Sequence, residues 1–365
     1  RDMLTACFNQ QPTPETAKPA QPSRKNFSLS PCYYRYSSQA SSACKLSPPS
    51  QKKRAIIIGA GIAGCSIAYK LAQRGWQVAL IDAEKTVAAA ASGNARAVLY
   101  ARTAQQRSSL ADFHEAAFHY ATRFYKTLSS HLADQGGPHN LSEGLNGMLK
   151  LDEQLSDEML TLNPEAYSRQ NVSAKQASEL CGIDTQHKGI HYPESGWLDP
   201  ITIFQSLTQH KNIDFYAQTK VTALKRTATD WQAECKNNDN LSQTVAADIA
   251  IITAGQLSHQ FEQSAWLPLR AMRGQTTTLP ASADSQGLTM AVCQRGYITP
   301  ASQGRHSIGA TYAVKDTNPK VENADHQSNI DNLIAMLDEH SPWRQSLQTQ
   351  RLEPLKGRVG FRCVA

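Results

Sequence analysis

Three glycines near the start of an apolar segment have the spacing of a phosphate-binding turn. Gly59, Gly61 and Gly64 fit the pattern Gly-x-Gly-x-x-Gly, in which Ile62 and Ala63 are the two intervening residues. The first glycine permits a tight turn, the second lets a pyrophosphate approach the backbone, and the third lets a helix pack on a strand. The start of that helix would present free N–H groups and a positive dipole end to phosphates. The motif therefore predicts a dinucleotide site.

Asp82 ends the next apolar run, about twenty residues beyond the glycines, where such a site carries its ribose-binding carboxylate. The carboxylate can accept hydrogen bonds from the adenosine ribose hydroxyls, and its negative charge disfavours a 2′-phosphate. NADP is therefore not expected. NAD and FAD both fit the fingerprint, and a glycine turn without a ligand is the structural alternative.

Two further small-residue turns favour FAD over NAD. Ser92, Gly93 and Asn94 follow the second apolar run, where flavoproteins of the amine-oxidase-like class carry a turn that meets the pyrophosphate and flavin. A late apolar run then ends in a second such turn at Gly255. Val221, in a β-like segment, is included among the predicted FAD-binding residues.

The elements around these residues predict an α/β fold. The glycine turn lies between the apolar run 55–58 and a helix-like stretch that ends near residue 75, and the run 78–81 completes a βαβ unit. The run 247–255 is typical of a buried parallel strand. Strand patterns at residues 275–279, 296–299 and 306–310 indicate a second, largely antiparallel sheet. We expect a doubly wound, Rossmann-like FAD-binding domain with an inserted α+β substrate domain.

The composition is that of a soluble protein and excludes several classes. The chain has 365 residues, enough for two domain-sized cores, and 40% of them are apolar. The eight cysteines form no Cys-x-x-Cys pair or zinc-spaced cluster, so we expect reduced thiols and no metal. No signal peptide and no membrane-spanning apolar run is apparent, which predicts a cytoplasmic protein. The net charge of +6 permits an anionic partner such as nucleic acid but does not establish one.

With these motifs in view, the chain resembles the family of bacterial bifunctional proteins of 5-methylaminomethyl-2-thiouridine biosynthesis, which modify the wobble uridine of tRNA. The resemblance covers most of the chain from residue 53 onward. Its more specific marks lie at residues 74–78, 91–94, 192–193, 196–198, 296–300, 308–312 and 360–363.

The resemblance implies an FAD-dependent oxidoreductase that acts on a CH–NH group and removes the carboxymethyl group from carboxymethylaminomethyl-uridine in tRNA. A methyltransferase domain of the same polypeptide then methylates the exposed amine with S-adenosylmethionine. Arg362 would receive the substrate carboxylate through two parallel hydrogen bonds, helped by the hydroxyl of Tyr297. Arg358 and Arg273 are the alternatives to Arg362.

The resemblance also implies a division of the chain. Residues 1–7 resemble the tail of a preceding methyltransferase domain, and residues 8–50 have the composition of a flexible linker. The FAD-binding domain is expected at 51–135 and 186–258, and the substrate domain (glycine-oxidase-like) at 136–185 and 259–365. The last flavin-binding segment of the family would follow Ala365, so the fold is expected to be C-terminally truncated.

Other functions remain open at this point. An oxidase of free glycine or sarcosine shares the fold and the fingerprint, a flavin- or tRNA-binding fragment without catalysis is possible, and an NAD dehydrogenase is a third alternative. If tRNA is the partner, basic side chains near the entrance of the FAD-binding domain are candidates for phosphate contacts. They are Lys52, Lys53, Arg54, Arg96, Arg102 and Arg107.

Overall fold

The described residues form eighteen strands and six α-helices, and the chain begins its described part with a β1–α1–β2 unit of the predicted α/β class. The computed structural model describes residues 53–100, 108–134, 141–155 and 169–364. The strands are β1 (Arg54–Ile58), β2 (Gln77–Ile81), β3 (Ala97–Leu99), β4 (Met148–Leu151), β5 (Gln170–Val172), β6 (Gly189–Tyr192), β7 (Gly196–Leu198), β8 (Ile213–Tyr216), β9 (Thr219–Arg226), β10 (Trp231–Asn237), β11 (Ser242–Ala247), β12 (Ile249–Ile252), β13 (Arg270–Pro280), β14 (Ala291–Cys293), β15 (Tyr297–Ile298), β16 (Arg305–Gly309), β17 (Ala313–Val314) and β18 (Lys356–Val364). The helices are α1 (Ile62–Ala72), α2 (Ser109–Asp134), α3 (Ala174–Cys181), α4 (Pro200–Thr208), α5 (Asn323–Met336) and α6 (Pro342–Gln348).

A four-stranded parallel sheet in the order β12-β1-β2-β8 carries the glycine motif. Its central strand β1 is apolar and buried, as expected of a parallel strand covered on both faces. Residues of α1, α2 and α4 contribute to the core on one face. The other face is covered by the antiparallel sheet β9–β11 rather than by further helices, and Val221 and Leu224 pack there against Ile56 and Ile81.

A second sheet of nine strands has the order β17-β13-β16-β15-β14-β4-β6-β5, with β18 paired to β13. All of its pairs are antiparallel except β14 with β4, which confirms the predicted largely antiparallel sheet. Strand β6 pairs with β4 and β5 here, although the boundary predicted at residue 186 assigns it to the FAD-binding domain. The domain limits stay predictions.

Strand β18 belongs to the large sheet and also passes close to the loop that follows β2 of the parallel sheet. It pairs with β13 along nine residues, from Arg270 opposite Val364 to Thr278 opposite Lys356. Gly360, in the middle of β18, lies close enough to the loop after β2 that a Cβ there would be 3.4 Å from the Cα of Ala91. The end of the chain therefore contributes directly to the region around the glycine motif.

The predicted methyltransferase tail and linker, at residues 1–50, lie outside the described residues. Within the described part, five cysteines are free: Cys65, Cys181, Cys235, Cys293 and Cys363. Burial raises the pKa of the Cys293 thiol to about 12, so this side chain is protonated at neutral pH. None of the described helices has the length and apolar character needed to cross a membrane.

Candidate cofactor and substrate site

Two of the three motif glycines are required by packing. Gly59 has φ of +104°, and a Cβ there would be 2.6 Å from the carbonyl oxygen of Thr253. A Cβ at Gly64 would be 1.8 Å from the carbonyl oxygen of Gly59. The Thr253 hydroxyl donates to the carbonyl oxygens of Ile58 and Gly59, both at 2.9 Å. The turn after β1 is thereby fixed against the end of β12, as the motif predicts.

Gly61 faces open space instead. Among the described residues beyond its chain neighbours, the only atoms within 4 Å of a Cβ at Gly61 would belong to the Ser92 side chain, with Oγ at 3.1 Å. The same hydroxyl oxygen accepts a hydrogen bond from the N–H of Ile62 at 3.0 Å, at the first residue of α1. Ala63 is exposed in the first turn of the helix. The helix start therefore opens toward a cavity, with Ser92 as its nearest neighbour.

The first cleft, of about 440 Å³, extends from the end of β2 past the glycine turn to β18. Six of the eleven predicted FAD-binding residues line it: Gly59, Gly61, Asp82, Ser92, Val221 and Gly255. Gly255 has φ of +56° and no neighbour within 4 Å of a Cβ, so it opens the turn after β12 toward the cleft. Residues distant in sequence thus form one elongated cavity.

Asp82 is held rigidly at one end of this cleft. Its Oδ2 accepts a hydrogen bond from the N–H of Ala60 at 2.5 Å, and its Oδ1 accepts one from the N–H of Glu84 at 2.8 Å. A carboxylate oxygen can accept more than one hydrogen bond, so both oxygens keep capacity for ribose hydroxyls. The geometry is compatible with the predicted role.

A second cleft, of about 420 Å³, meets the first at Ala91 and Ser92. Its walls are mainly apolar and include Ile62, Ala97, Val98, Leu99, Tyr125, Leu198, Ile203 and Phe204. Asn94 lines it as well. Among the described residues that line it, Arg362 alone is permanently charged. This cleft combines an apolar wall with one guanidinium group.

Arg362 and Tyr297, the two predicted catalytic residues, lie in one electrostatic neighbourhood with Tyr312. The Nη1 of Arg362 donates to the Tyr312 hydroxyl at 2.8 Å, and its guanidinium carbon lies 4.4 Å from the centre of that ring. The Tyr297 hydroxyl donates to the carbonyl oxygen of Arg96 at 3.4 Å. Burial raises the pKa of Tyr297, and a hydrogen bond with the Ser307 hydroxyl and the charge of Arg362 partly offset this effect. Tyr297 is therefore a neutral hydroxyl at physiological pH.

The two alternative arginines are occupied by protein partners. Arg273 is only 1% exposed, and its Nη1 lies 2.5 Å from Oδ2 of Asp325. Its Nε and Nη2 donate to the carbonyl oxygens of Asn318 and Lys320 at 2.7 and 2.8 Å. Arg358 donates to three acceptors in the loop after β2. Of the three candidates, Arg362 is the one that lines a cleft.

Two predicted residues have other surroundings than the sequence suggested. A Cβ at Gly93 would be 2.0 Å from the carbonyl oxygen of Ala88, so Gly93 is needed for loop packing and does not line either cleft. The predicted phosphate contact Arg96 is only 17% exposed in its side chain, pairs with Asp199 at 3.3 Å and stacks on Trp197. It is a structural residue, because a carboxylate 103 positions away neutralises it. Lys52, Arg102 and Arg107 lie outside the described residues.

Comparison with known proteins identifies the fold around these clefts. The profile of the family "FAD dependent oxidoreductase" (DAO) matches residues 54–364. The chain belongs to this family. FAD is accordingly its cofactor, as the small-residue turns predicted, and the α/β fold class is confirmed.

The family resemblance found in the sequence is confirmed by individual relatives. The tRNA 5-methylaminomethyl-2-thiouridine biosynthesis bifunctional protein MnmC of Chromobacterium violaceum is 33% identical over 319 residues, which are 87% of this chain and 47% of that protein. The protein of the same name from Stutzerimonas stutzeri (strain A1501) is 30% identical over 316 residues, 86% of this chain and 46% of that one. The chain spans about half the length of the curated relatives it matches.

Solved structures share the fold at lower identity. Glycine oxidase from Bacillus cereus ATCC 14579 superposes with a TM-score of 0.67 at 19% identity, over 86% of this chain and 83% of that one. Iminodiacetate oxidase from Chelativorans sp. BNC1 superposes with a TM-score of 0.63 at 23% identity, over 85% and 83%. These similarities support the fold of the two sheets.

The residues present fit FAD. The first cleft offers an open glycine backbone at Gly61, a helix start and a fixed carboxylate at Asp82, which suit a pyrophosphate and a ribose. The second cleft continues from it with apolar walls, which suit a flavin ring and a small substrate group. Gly59, Gly61, Asp82, Ser92, Val221 and Gly255 would hold the nucleotide part, and Ile62 and Asn94 would face the flavin side.

Proposed function

We propose that this chain is the FAD-dependent oxidoreductase part of a bifunctional tRNA-modifying enzyme. It removes the carboxymethyl group from carboxymethylaminomethyl-uridine, with or without a 2-thio group, at the wobble position and leaves aminomethyl-uridine. A methyltransferase domain of the same polypeptide, using S-adenosylmethionine, then forms methylaminomethyl-uridine. The names of the relatives and the shared motifs support this proposal. A tRNA substrate implies a cytoplasmic enzyme.

The observation that carries the proposal is Arg362 in an apolar cleft beside the FAD site. The group to be removed ends in a carboxylate, which a guanidinium can hold by two parallel charge-assisted hydrogen bonds. The arginine has no carboxylate partner among the described ion pairs, because its Nη1 contacts a neutral hydroxyl, that of Tyr312. A substrate carboxylate can therefore pair with it without displacing an existing ion pair.

The chain's residues orient the substrate. Bound FAD supplies the two-electron oxidation of a carbon next to an amine. When the substrate carboxylate is bound to Arg362, the methylene carbon next to it is held in place. This lowers the entropy that the substrate must lose to reach the reactive geometry. The Tyr297 hydroxyl stays protonated, and in the bound complex it would turn from the Arg96 carbonyl and donate a hydrogen bond to the substrate carboxylate. Val98, Leu99 and Leu198 form the apolar wall against which the substrate would lie, and after the oxidation water hydrolyses the carbon–nitrogen double bond to glyoxylate and the primary amine.

The test uses the full-length protein and tRNA carrying carboxymethylaminomethyl-uridine. After incubation in air, nucleosides from the digested tRNA are separated by liquid chromatography and mass spectrometry, without S-adenosylmethionine present. We expect aminomethyl-uridine and an equal amount of glyoxylate, and an absorbance spectrum of bound flavin. Free glycine and sarcosine, tested in parallel, should react far more slowly. Rapid oxidation of either amino acid with unchanged tRNA would contradict the proposal and favour a free amino-acid oxidase.

A further inference from the structure

Arg358 is a charged side chain of β18 that the proposed reaction does not use. It is partly buried, and its Nη2 donates to the carbonyl oxygens of Ala89, at 2.6 Å, and Ala90. Its Nη1 donates to Oδ1 of Asn94 at 3.3 Å. All three acceptors belong to residues 88–94, which we call the cofactor loop. In the described part of the chain, no carboxylate forms an ion pair with Arg358.

The cofactor loop is a wall that the two clefts share. Ala90, Ala91 and Ser92 line the first cleft, and Ala91, Ser92 and Asn94 line the second. On the side of the glycine turn, the N–H of Ala88 donates to the carbonyl oxygen of Ala60 at 2.8 Å, and Ser92 accepts from Ile62. On the opposite side, the loop's hydrogen bonds go to Arg358. The loop is thus held between the parallel sheet and β18.

The fit of the guanidinium behind the loop is close. A Cβ at Gly93 would lie 2.8 Å from the Nη2 of Arg358, and a Cβ at Gly360 would lie 3.4 Å from the Cα of Ala91. The carbonyl oxygens of Ala89 and Ala90 converge on one nitrogen, an arrangement in which two partial negative charges repel each other unless a cation lies between them. A neutral side chain at position 358 would compensate that repulsion less than the charged guanidinium does.

We propose that Arg358 is a positioning residue for FAD. It holds the cofactor loop from behind in the conformation that binds FAD, so FAD affinity depends on a side chain of the large sheet that does not line either cleft. Arg358, Gly360 and Arg362 occupy every second position of β18 and therefore lie on the same face of the strand. The strand that orients the cofactor loop thus also carries Arg362, the arginine proposed to bind the substrate. This inference rests on the family's cofactor and not on the identity of the amine substrate.

The test compares Arg358→Gln with a matched control, Arg344→Gln, in the full-length protein. Arg344 lies in α6, is also partly buried, and donates to the backbone carbonyls of Ile334 and Leu337 at 3.4 and 3.0 Å. Both variants lose a guanidinium that bonds backbone carbonyls, but only one is behind the cofactor loop. The Kd of the apoprotein for FAD is measured by quenching of flavin fluorescence, and hydrogen exchange is followed in residues 88–94.

We expect Arg358→Gln to raise the Kd for FAD about tenfold or more, as the loss of charge-assisted hydrogen bonds predicts. Exchange of the Ala88 and Gly93 amides should accelerate in the same variant. Arg344→Gln should leave both quantities near wild type even if it lowers Tm. Arg358→Lys, which keeps the charge but not the planar fork, should be intermediate.

An unchanged Kd in Arg358→Gln would overturn the inference, and so would an equal rise in Arg344→Gln, which would mean general destabilisation. If Arg358→Gln does not fold, the Kd of Arg358→Lys decides by the same criterion. Normal FAD binding combined with loss of tRNA oxidation would also overturn it, because Arg358 would then act on the substrate. Failure of the tRNA reaction in the wild type leaves the FAD measurements unaffected, so the two proposals fail separately.

Discussion

At the scale of single residues, side chains of one type have different roles because their neighbours differ. Gly61 faces a cleft and Gly64 faces the backbone of Gly59. Likewise, Arg362 faces a cleft while Arg273 is enclosed by carbonyl oxygens and Asp325. Residue type and spacing predict which positions are special, and contacts decide what each one does.

The glycine motif gives a prediction that separates cofactor binding from folding. Gly61→Val should leave the apoprotein folded, because only the Ser92 side chain lies near the new Cβ, but the valine should occupy pyrophosphate space and abolish FAD binding. Gly64→Ala should destabilise the fold by about 3 kcal/mol or more, because its Cβ overlaps a backbone oxygen. Urea unfolding and the flavin absorbance of the purified proteins measure both effects. Stoichiometric flavin in Gly61→Val would contradict the assignment of this turn.

Arg362 gives a prediction about the substrate carboxylate. Arg362→Ala and Arg362→Lys should both retain FAD, while oxidation of carboxymethylaminomethyl-tRNA falls about a hundredfold in the alanine variant and less in the lysine variant. The reason is that lysine restores the charge but not the bidentate geometry. Single-turnover reduction of the flavin, followed by absorbance, checks the result. As a control, Arg305→Ala removes an exposed arginine of β16 and should react normally. Near-normal turnover in Arg362→Ala would move the carboxylate site elsewhere.

At the scale of elements, β13 and α5 are joined by buried polar groups as well as by apolar packing. Arg273, Gln275 and Thr277 alternate along β13 and are each at most 1% exposed. The Thr277 hydroxyl lies 2.8 Å from Nδ1 of His326, and the Asn329 amide donates to the Gln275 carbonyl at 3.0 Å. Because nearly every polar group has a partner, this network fixes the position of β13 and, through it, of β18.

Buried histidines in the large sheet predict a pH-dependent stability. His306 is 1% exposed, its Nδ1 donates to the Thr299 carbonyl at 2.9 Å, and burial lowers its pKa below the ordinary value of 6.5. The unfolded chain therefore binds a proton at a higher pH than the folded chain does. Stability should be complete above the unfolded pKa and should fall as the pH drops below it.

Urea unfolding between about pH 7.5 and 5.5 measures this effect. The free energy of unfolding should decrease over this range in the wild type and decrease less in His306→Gln. A residual slope is expected in the variant, because burial also lowers the pKa of His326 and His191. The exposed His340 provides a control, since His340→Gln should keep the full slope. An identical slope in His306→Gln and the wild type would rule out His306 as a contributor.

At the scale of the whole molecule, the charge balance is relevant to a polyanionic partner. The chain has a net charge of +6, and of the six basic residues proposed for phosphate contacts, Lys53 and Arg54 are exposed whereas Arg96 is paired with Asp199. Arg96 is therefore no longer a candidate for a phosphate contact. The remaining basic side chains can contact phosphates only where they meet solvent.

This surface predicts a salt-dependent affinity for tRNA. The logarithm of the association constant should fall linearly with the logarithm of salt concentration, because bound counterions are released from the RNA. Replacing Lys53 and Arg54 together by Gln should reduce the slope by about one for each phosphate that the variant no longer neutralises. Lys175→Gln, on the exposed face of α3, is the control and should leave the slope unchanged. Filter binding at several salt concentrations checks this, and an affinity independent of salt would contradict it.

The sequence by itself determined the cofactor-binding turn and the fold class. Gly59, Gly61 and Gly64 between two apolar runs specify a strand, a turn and a helix by local rules, and Asp82 follows at a fixed distance. The antiparallel character of the large sheet also followed from short strand patterns. The glycine turn and Asp82 depend on neighbours within about thirty residues, as a βαβ unit does.

Only the tertiary structure decided which arginine lines the second cleft and which ones are bonded to protein partners. Arg96, Arg273, Arg358 and Arg362 are alike in sequence, but their partners lie 103, 52, 264 and 50 positions away. The alternating polar residues of β13 are typical of a solvent-facing strand, and α5 covers them instead. The free energy of a charged side chain depends on burial and on partners brought together by folding, and no local pattern contains that information.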